Sequence, residues 1–164
     1  MLLYLLRHGI AEDHGSRDRD DERELTTEGK EKTAAALIAA KKMGLFAPQL
    51  VLSSPYKRAR QTADIALDHF AIGAELEITE SLTPETDPVE TMAVIAAKAQ
   101  DTKSILLVGH EPHLSSFGSA LLGSTTTVIE MKKATLAKFE LTRFDVPRMR
   151  GYLVALLPPK IGSI

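Results

Sequence analysis

Met1-Leu2-Leu3-Tyr4-Leu5-Leu6-Arg7-His8-Gly9 opens the chain with an apolar run of the length of one buried strand, and the run stops at a cation, an imidazole and a glycine. In open α/β sheets ligands bind beyond the carboxyl ends of strands. A strand that ends in Arg7 and His8 therefore carries functional groups to the edge where such folds keep their sites. Histidine can serve as nucleophile, base or metal ligand, and arginine suits phosphate and carboxylate. Gly9 lacks the Cβ that would hold a ligand away from the backbone. Taken alone, the Arg-His pair reads equally well as ordinary loop polarity.

The pattern repeats along the chain. Gln49–Ser53, Leu76–Ile78 and Ser104–Val108 read as further strands, the last running straight into Gly109-His110. Between them lie helical stretches. One runs from Thr27 to Met43, with Gly44 as its stop. Another runs to Phe70, with Ser54 as N-cap and Pro55 as first helical residue. A third spans Val89 to Ala99 behind Asp87-Pro88, and a fourth spans Pro112 to Leu122. Ala134–Leu141 alternates in polarity and Gly151–Leu157 is again apolar. With no room for a helix between them, these two predict an antiparallel addition to a mostly parallel sheet. The expected fold is α/β: a single-domain, three-layer α/β/α sandwich over residues 1–164, without repeat or linker.

Composition narrows the function classes. With 164 residues, 44% of them hydrophobic and 26% charged, the chain can bury a proper core. A formal charge of -2 gives no reason to expect nucleic acid or a polybasic membrane contact. The absence of cysteine excludes thiolate catalysis, disulfides and cysteine zinc sites, and fits a cytoplasmic location. The opening run is too short for a signal peptide and has no basic segment before it. No stretch approaches the roughly 20 apolar residues of a membrane span. Without tryptophan, a base-stacking surface is not expected either.

Parallel strands share one carboxyl edge, so Arg7, His8, His110 and the Ser53-Ser54-Pro55 turn leading to Arg58 are expected to converge there. The helix after Pro55 would turn its first backbone N–H groups toward an anion. Arg58 and Arg60, two residues apart, cannot share a helical face. Arg58, nearer the helix start, is assigned to the pocket and Arg60 to the surface. Glu12–Glu24, with Arg17, Arg19 and Arg23 among seven acidic residues, reads as a solvated loop. His14 and His69 are expected at the surface, and His113 as a helix-capping residue. Arginines beside His8 and His110 oppose a metal ion, and catalytic zinc usually takes three protein ligands, so no metal is expected.

Leu6-Arg7-His8-Gly9 resembles the signature of the histidine phosphatase superfamily, which includes the phosphoglycerate mutases. The resemblance continues, in family order, through Leu25-Thr26-Thr27-Glu28-Gly29, the Ser53–Ala63 segment and Val108-Gly109-His110-Glu111-Pro112. Leu82-Thr83-Pro84, His110-Glu111-Pro112 and the short chain are similar to the SixA-type phosphohistidine phosphatases. The resemblance implies that His8 attacks phosphorus and carries a phosphohistidine intermediate that water then hydrolyses. It further implies that Arg7 and Arg58 clamp the phosphoryl oxygens, that His110 donates another hydrogen bond, and that no cofactor is needed. Phosphoryl transfer rests on positioning and charge stabilisation, which such groups can supply.

One element of the family pattern is missing. Where many relatives carry a glutamate after a leucine as general acid, Leu82 is followed by Thr83. Glu85 is the nearest substitute, with Glu80, Asp87 and Asp18 as others. A phosphorylated imidazole leaves readily once its other nitrogen is protonated, whereas an alkoxide needs a strong acid. The expected activity is therefore metal-independent hydrolysis of phosphohistidine on a partner protein, with a small-metabolite phosphomonoesterase or a non-catalytic phosphate-binding module as alternatives. The partner's identity and the oligomeric state are not legible in these residues.

Overall fold

The opening apolar run becomes β1 (Leu2–Arg7), the strand around which a computed structural model describing residues 1–45, 47–71 and 73–160 is organised. β1 pairs in parallel with β4 (Ser104–Gly109) on one side and antiparallel with β5 (Leu136–Arg143) on the other. β2 (Leu50–Ser53) and β3 (Glu75–Ile78) extend the parallel side, and β6 (Arg150–Leu157) closes the other edge against β5. The six strands run in the order β3-β2-β4-β1-β5-β6. As expected, the sheet is mostly parallel, and the late hairpin supplies its antiparallel member.

The period of two along a strand sorts the core into two layers. Leu3, Leu5, Leu52, Ile105 and Leu107 face α3 (Pro88–Lys98) and α4 (His113–Leu121), where Ile95, Leu114 and Phe117 meet them. Tyr4, Leu6, Val51, Leu106 and Val108 face the opposite way, toward Leu37 of α1 (Thr27–Lys42) and Ala59, Ala63 and Ala66 of α2 (Lys57–His69). These central strand residues are essentially without solvent contact, as parallel strands covered by helices on both faces require. The alanines of α2 let that helix lie close to the sheet, bringing its first turn near the strand ends.

Two segments near the strand ends differ in kind from the sequence reading. α2 begins at Lys57, not at Pro55, because Ser54 turns its hydroxyl to accept the Tyr56 N–H at 3.3 Å and the chain stays extended through Tyr56. The Glu12–Glu24 segment is not merely solvated. Its Asp20–Glu22 stretch forms a 3-10 turn, and Arg23 is buried with its guanidinium on the Glu12 carbonyl and the Asp20 carboxylate. The last residues of the expected 1–164 span, 161–164, lie outside those described, as do 46 and 72.

Gly9 and Gly29 fix how the loop after β1 crosses α1. A Cβ on Gly29 would lie 2.0 Å from the Ile10 carbonyl oxygen, and one on Gly9 would lie 2.5 Å from the Thr33 hydroxyl. Gly9 therefore makes room for α1 and not for a ligand, a correction to its sequence reading. Because the obstruction at Gly29 is backbone, Gly29→Ala should push Ile10 and the neighbouring Gly9 outward and destabilise the protein by about 1–3 kcal/mol. Urea denaturation measures this, and an unchanged midpoint would contradict the packing described.

Candidate active site

Parity carries over from the strands to the site. Residues 3 and 5 of β1 face α3 and α4, so Arg7 continues to that side. Its guanidinium donates to the Met131 carbonyl at 2.9 Å. That carbonyl belongs to a segment whose N–H groups are tied to α4 through Met131 to Ser115 Oγ and Val128 to Ser119 Oγ. Even-numbered residues face α1 and α2, so His8 meets Arg58 in the first turn of α2, with Arg58 Nε 3.3 Å from His8 Nε2. Gly109 lies opposite Arg7 in the β1–β4 register, which sets His110 beside His8 with ring centroids 5.0 Å apart. His110 Nε2 lies 2.8 Å from Ser54 Oγ at the end of β2, and the Tyr56 ring packs 4.9 Å from the imidazole. Three adjacent parallel strands thus deliver Arg7, His8, Arg58 and His110 to one cavity of about 550 Å³.

These side chains are deeply set: His8 is 5% exposed, Arg58 3% and His110 1%. His8 Nδ1 is 2.7 Å from the Gly9 carbonyl. A carbonyl only accepts, so Nδ1 carries the hydrogen and the Nε2 lone pair faces Arg58, whose Nε–H it accepts. Burial pushes the His8 pKa down to about 3, opposed by the Gly9 carbonyl and assisted by the charges of Arg58, Arg7 and Lys133. Burial likewise pushes His110 down to about 2, assisted by His8 and Arg58. Both rings are therefore neutral at ordinary pH while the arginines remain cationic. His110 Nδ1 and Arg7 Nε are buried with no partner among the described residues. Buried polar atoms without a partner are uncommon in folded proteins. Neutral imidazole nitrogen beside two guanidiniums can attack or bind an oxyanionic group.

Several wall residues escaped the sequence reading. Asp20 accepts from Arg58 at 3.0 Å and from Arg23 at 2.8 Å, with His14 Nδ1 3.1 Å away. Partial burial pulls the other way, but Arg23 and Arg58 together hold Asp20 below the usual carboxylate range. The Arg58 guanidinium also lies 5.0 Å from the Tyr56 ring centroid. Glu111 lines the cavity half-buried, one oxygen accepting the Ser115 N–H at 3.2 Å. The Asp20–Arg23 spacing of three, closing one turn, was the available signal in the charged loop, and the step from His110 to the next residue was the signal for Glu111.

The other expectations divide. Glu85 lines the cavity with Thr83 and Pro84 but is exposed. Glu80, Asp87 and Asp18 do not line it, and Asp87 instead caps α3 by accepting the Val89 N–H at 2.8 Å. Arg60 is exposed beside the buried Arg58, and His14 and His69 are exposed, as read from sequence. His113 is not a cap: it is buried between α4 and α3, with Nε2 2.9 Å from Thr91 Oγ1 and Nδ1 2.9 Å from the Thr86 carbonyl. Among the described residues no group of three or more His, Cys, Asp or Glu side chains is placed to hold a metal ion, and no helix is long and apolar enough to cross a membrane.

The family model of the histidine phosphatase superfamily (branch 1) matches residues 3–85. An uncharacterized protein of Picosynechococcus sp. is 34% identical over 136 residues, 82% of this chain and 81% of the relative. Among solved structures, the chain is similar to the protein histidine phosphatase SixA complexed with tungstate, at a TM-score of 0.84 and 24% identity over 97% of each chain. It is also similar to a candidate phosphohistidine phosphatase SixA from Agrobacterium tumefaciens, at a TM-score of 0.78 and 26% identity over 96% of this chain and 97% of that one.

The depressed histidine pKa values have a measurable consequence. An unfolded chain protonates His8 and His110 below their ordinary value near 6.5, whereas the folded protein holds them neutral down to about 3 and 2. The unfolded state therefore binds more protons in that window, and folding stability is full above it and falls as pH drops through it. Each histidine contributes a slope of at most about 1.4 kcal/mol per pH unit. Denaturation series across this range should show a shallower decline for His8→Asn than for wild type, and nitrogen NMR should find His8 neutral with its proton on Nδ1 at mildly acidic pH. Titration of His8 near its ordinary value would contradict this electrostatic account.

Proposed function

The chain belongs to the histidine phosphatase superfamily and is a phosphatase, and from that premise we propose that it hydrolyses phosphohistidine on a partner protein through a covalent phosphoryl intermediate on His8. The observation that carries this reading is the fixed His8 ring, with Nδ1 bound to the Gly9 carbonyl and Nε2 set against Arg58 in a cationic cavity. Nε2 attacks phosphorus in line, and the phosphorus bond to the leaving group breaks. Arg7 and Arg58 neutralise the equatorial oxygens, and the unpartnered Nδ1 of His110 supplies a further contact to them. Water then attacks the phosphorus held on Nε2 and returns His8 to its neutral form.

The substrate class rests on three supports. Thr83 stands where an acid suited to alkoxide departure is found in many relatives, and two of the similar structures bear the names of phosphohistidine phosphatases. The cavity lining also includes the exposed residues Asp13, His14 and Glu85, as a site reached by a side chain on a protein surface would. The whole of residues 1–164 acts as one domain in this reading, and the activity fits a cytoplasmic signalling context.

Two measurements test it. Incubation with a peptide carrying labelled phosphohistidine, quenched in alkali to preserve phosphorus–nitrogen bonds, should trap label on wild type and none on His8→Ala. Absence of label on wild type, or equal label on both, would overturn the reading. Arg58→Ala should lower kcat/KM on the same peptide by about 10²–10³-fold, as loss of one preorganised charge donor does. A turnover of sugar phosphates exceeding that of the peptide would favour a small-metabolite substrate instead.

A further inference from the structure

We propose that a basic groove beside the catalytic cavity binds the stretch of the partner protein that flanks its phosphohistidine, and that it selects a stretch in which an apolar residue lies among acidic ones. This rests on the reading of the cavity as a phosphohistidine site. The groove, of about 770 Å³, meets the cavity at Arg7 and Lys133, which line both. A polypeptide whose phosphoryl group sits against His8 has its neighbouring residues within reach of that junction.

The lining defines the occupant. Arg7, Lys32, Lys132, Lys133 and Lys160 are its charged members, and no carboxylate is among them. In a chain of formal charge -2 this is a local concentration of cations. Lys32 shares its charge with Glu28, one turn away on α1. Lys132, Lys133 and Lys160 are exposed and take part in no ion pair among the described residues. The remaining members, Ile10, Ala134 and Pro159, are apolar, and lysine stems add further apolar surface. A small anion would use the charges and leave the apolar lining wet, whereas an acidic segment with one apolar side chain uses both. Glu12, Asp13 and Glu85 line the cavity but not the groove. They repel an acidic segment laid the other way, so the charge pattern sets the direction of the partner as well as its composition.

The backbone fixes two of these lysines. The Lys132 carbonyl accepts the Thr135 N–H at 2.9 Å, and the Ala134 N–H is shared by the Arg7 and His8 carbonyls, each at 3.2 Å. The turn is thereby fastened to the end of β1, the strand that carries the nucleophile. It holds Ala134 at a φ of 59°, a left-handed conformation that a residue with a Cβ keeps only where its surroundings impose it. With the turn set in this way, Lys133 lines both spaces and Lys132 the groove alone.

The test uses the intact protein and three kinds of probe. Phosphoimidazole is too small to span cavity and groove. A phosphohistidine peptide carries Asp, Leu and Glu beside the histidine, before it in one version and after it in another. A control peptide has Ser and Gln in those places. Wild type should turn over the better acidic peptide with a kcat/KM about tenfold above the control, most of it in KM, the scale of a few surface charge pairs and one partly buried side chain. The margin should shrink as salt is raised, and Ser in place of the Leu alone should remove part of it. Lys132→Glu combined with Lys160→Glu should erase the preference and leave phosphoimidazole turnover close to wild type, which also shows that the variant is folded. Equal treatment of the peptides by wild type, or equal losses on phosphoimidazole and the acidic peptide in the double variant, overturns the role of the groove while turnover persists. Binding to phosphatidylserine vesicles that the double variant loses, without preference among peptides, overturns it in favour of a lipid contact. Failure of wild type to turn over phosphoimidazole or any of the peptides overturns the underlying reading of the site, and this inference with it.

Discussion

The register between β1 and β4 is the constraint on which the rest of the site depends. Arg7 pairs with Gly109, and Ser53 of β2 pairs with Val108, so three adjacent strands run out at nearly the same level. A slip of one residue would turn His8 away from Arg58 and toward the α4 side, because strand side chains alternate faces. The register is held by the apolar residues behind it: Leu3 and Leu5 have places only on one face, and Tyr4 and Leu6 only on the other. The identity of the core thus sets the aim of the polar groups ahead of it.

Within that frame the site sets charge against burial. Arg7 and Arg58 line a pocket whose floor is buried, and the histidines between them are neutral, because burial disfavours a charged imidazole and the neighbouring guanidiniums add to that effect. Asp20 relieves part of the remaining positive potential from the loop side. The segment that looks like solvated surface in composition is, at one residue, a wall of the pocket.

Most of the architecture was legible because its signals are local. Apolar runs bounded by turn residues located the strands, and Asp87 announced its helix through a side-chain cap that the structure retains. The convergence of Arg7, His8, Arg58 and His110 followed from shared strand direction. What was not legible depends on contacts between distant residues. Ser54 looked like a helix cap from its neighbours in sequence, yet its hydroxyl pairs with the nearby Tyr56 N–H and with His110 from another strand. His113 looked like a cap because its burial under α3 is a tertiary matter. Asp20 was hidden among other acids, and only the fold of its loop selects it for Arg58.

The wide spacing of the pocket residues along the chain links anion occupancy to folding. Arg7, Arg58 and His110 come from separate stretches, and no fragment containing one of them can assemble the others. The cavity therefore exists only when the three central strands are paired, and the unfolded chain offers no comparable cluster. An anion that occupies it binds the native state alone, and so draws the folding equilibrium toward that state by mass action. Inorganic phosphate, the end product of the chemistry, is in this sense also a conformational ligand of the protein that releases it.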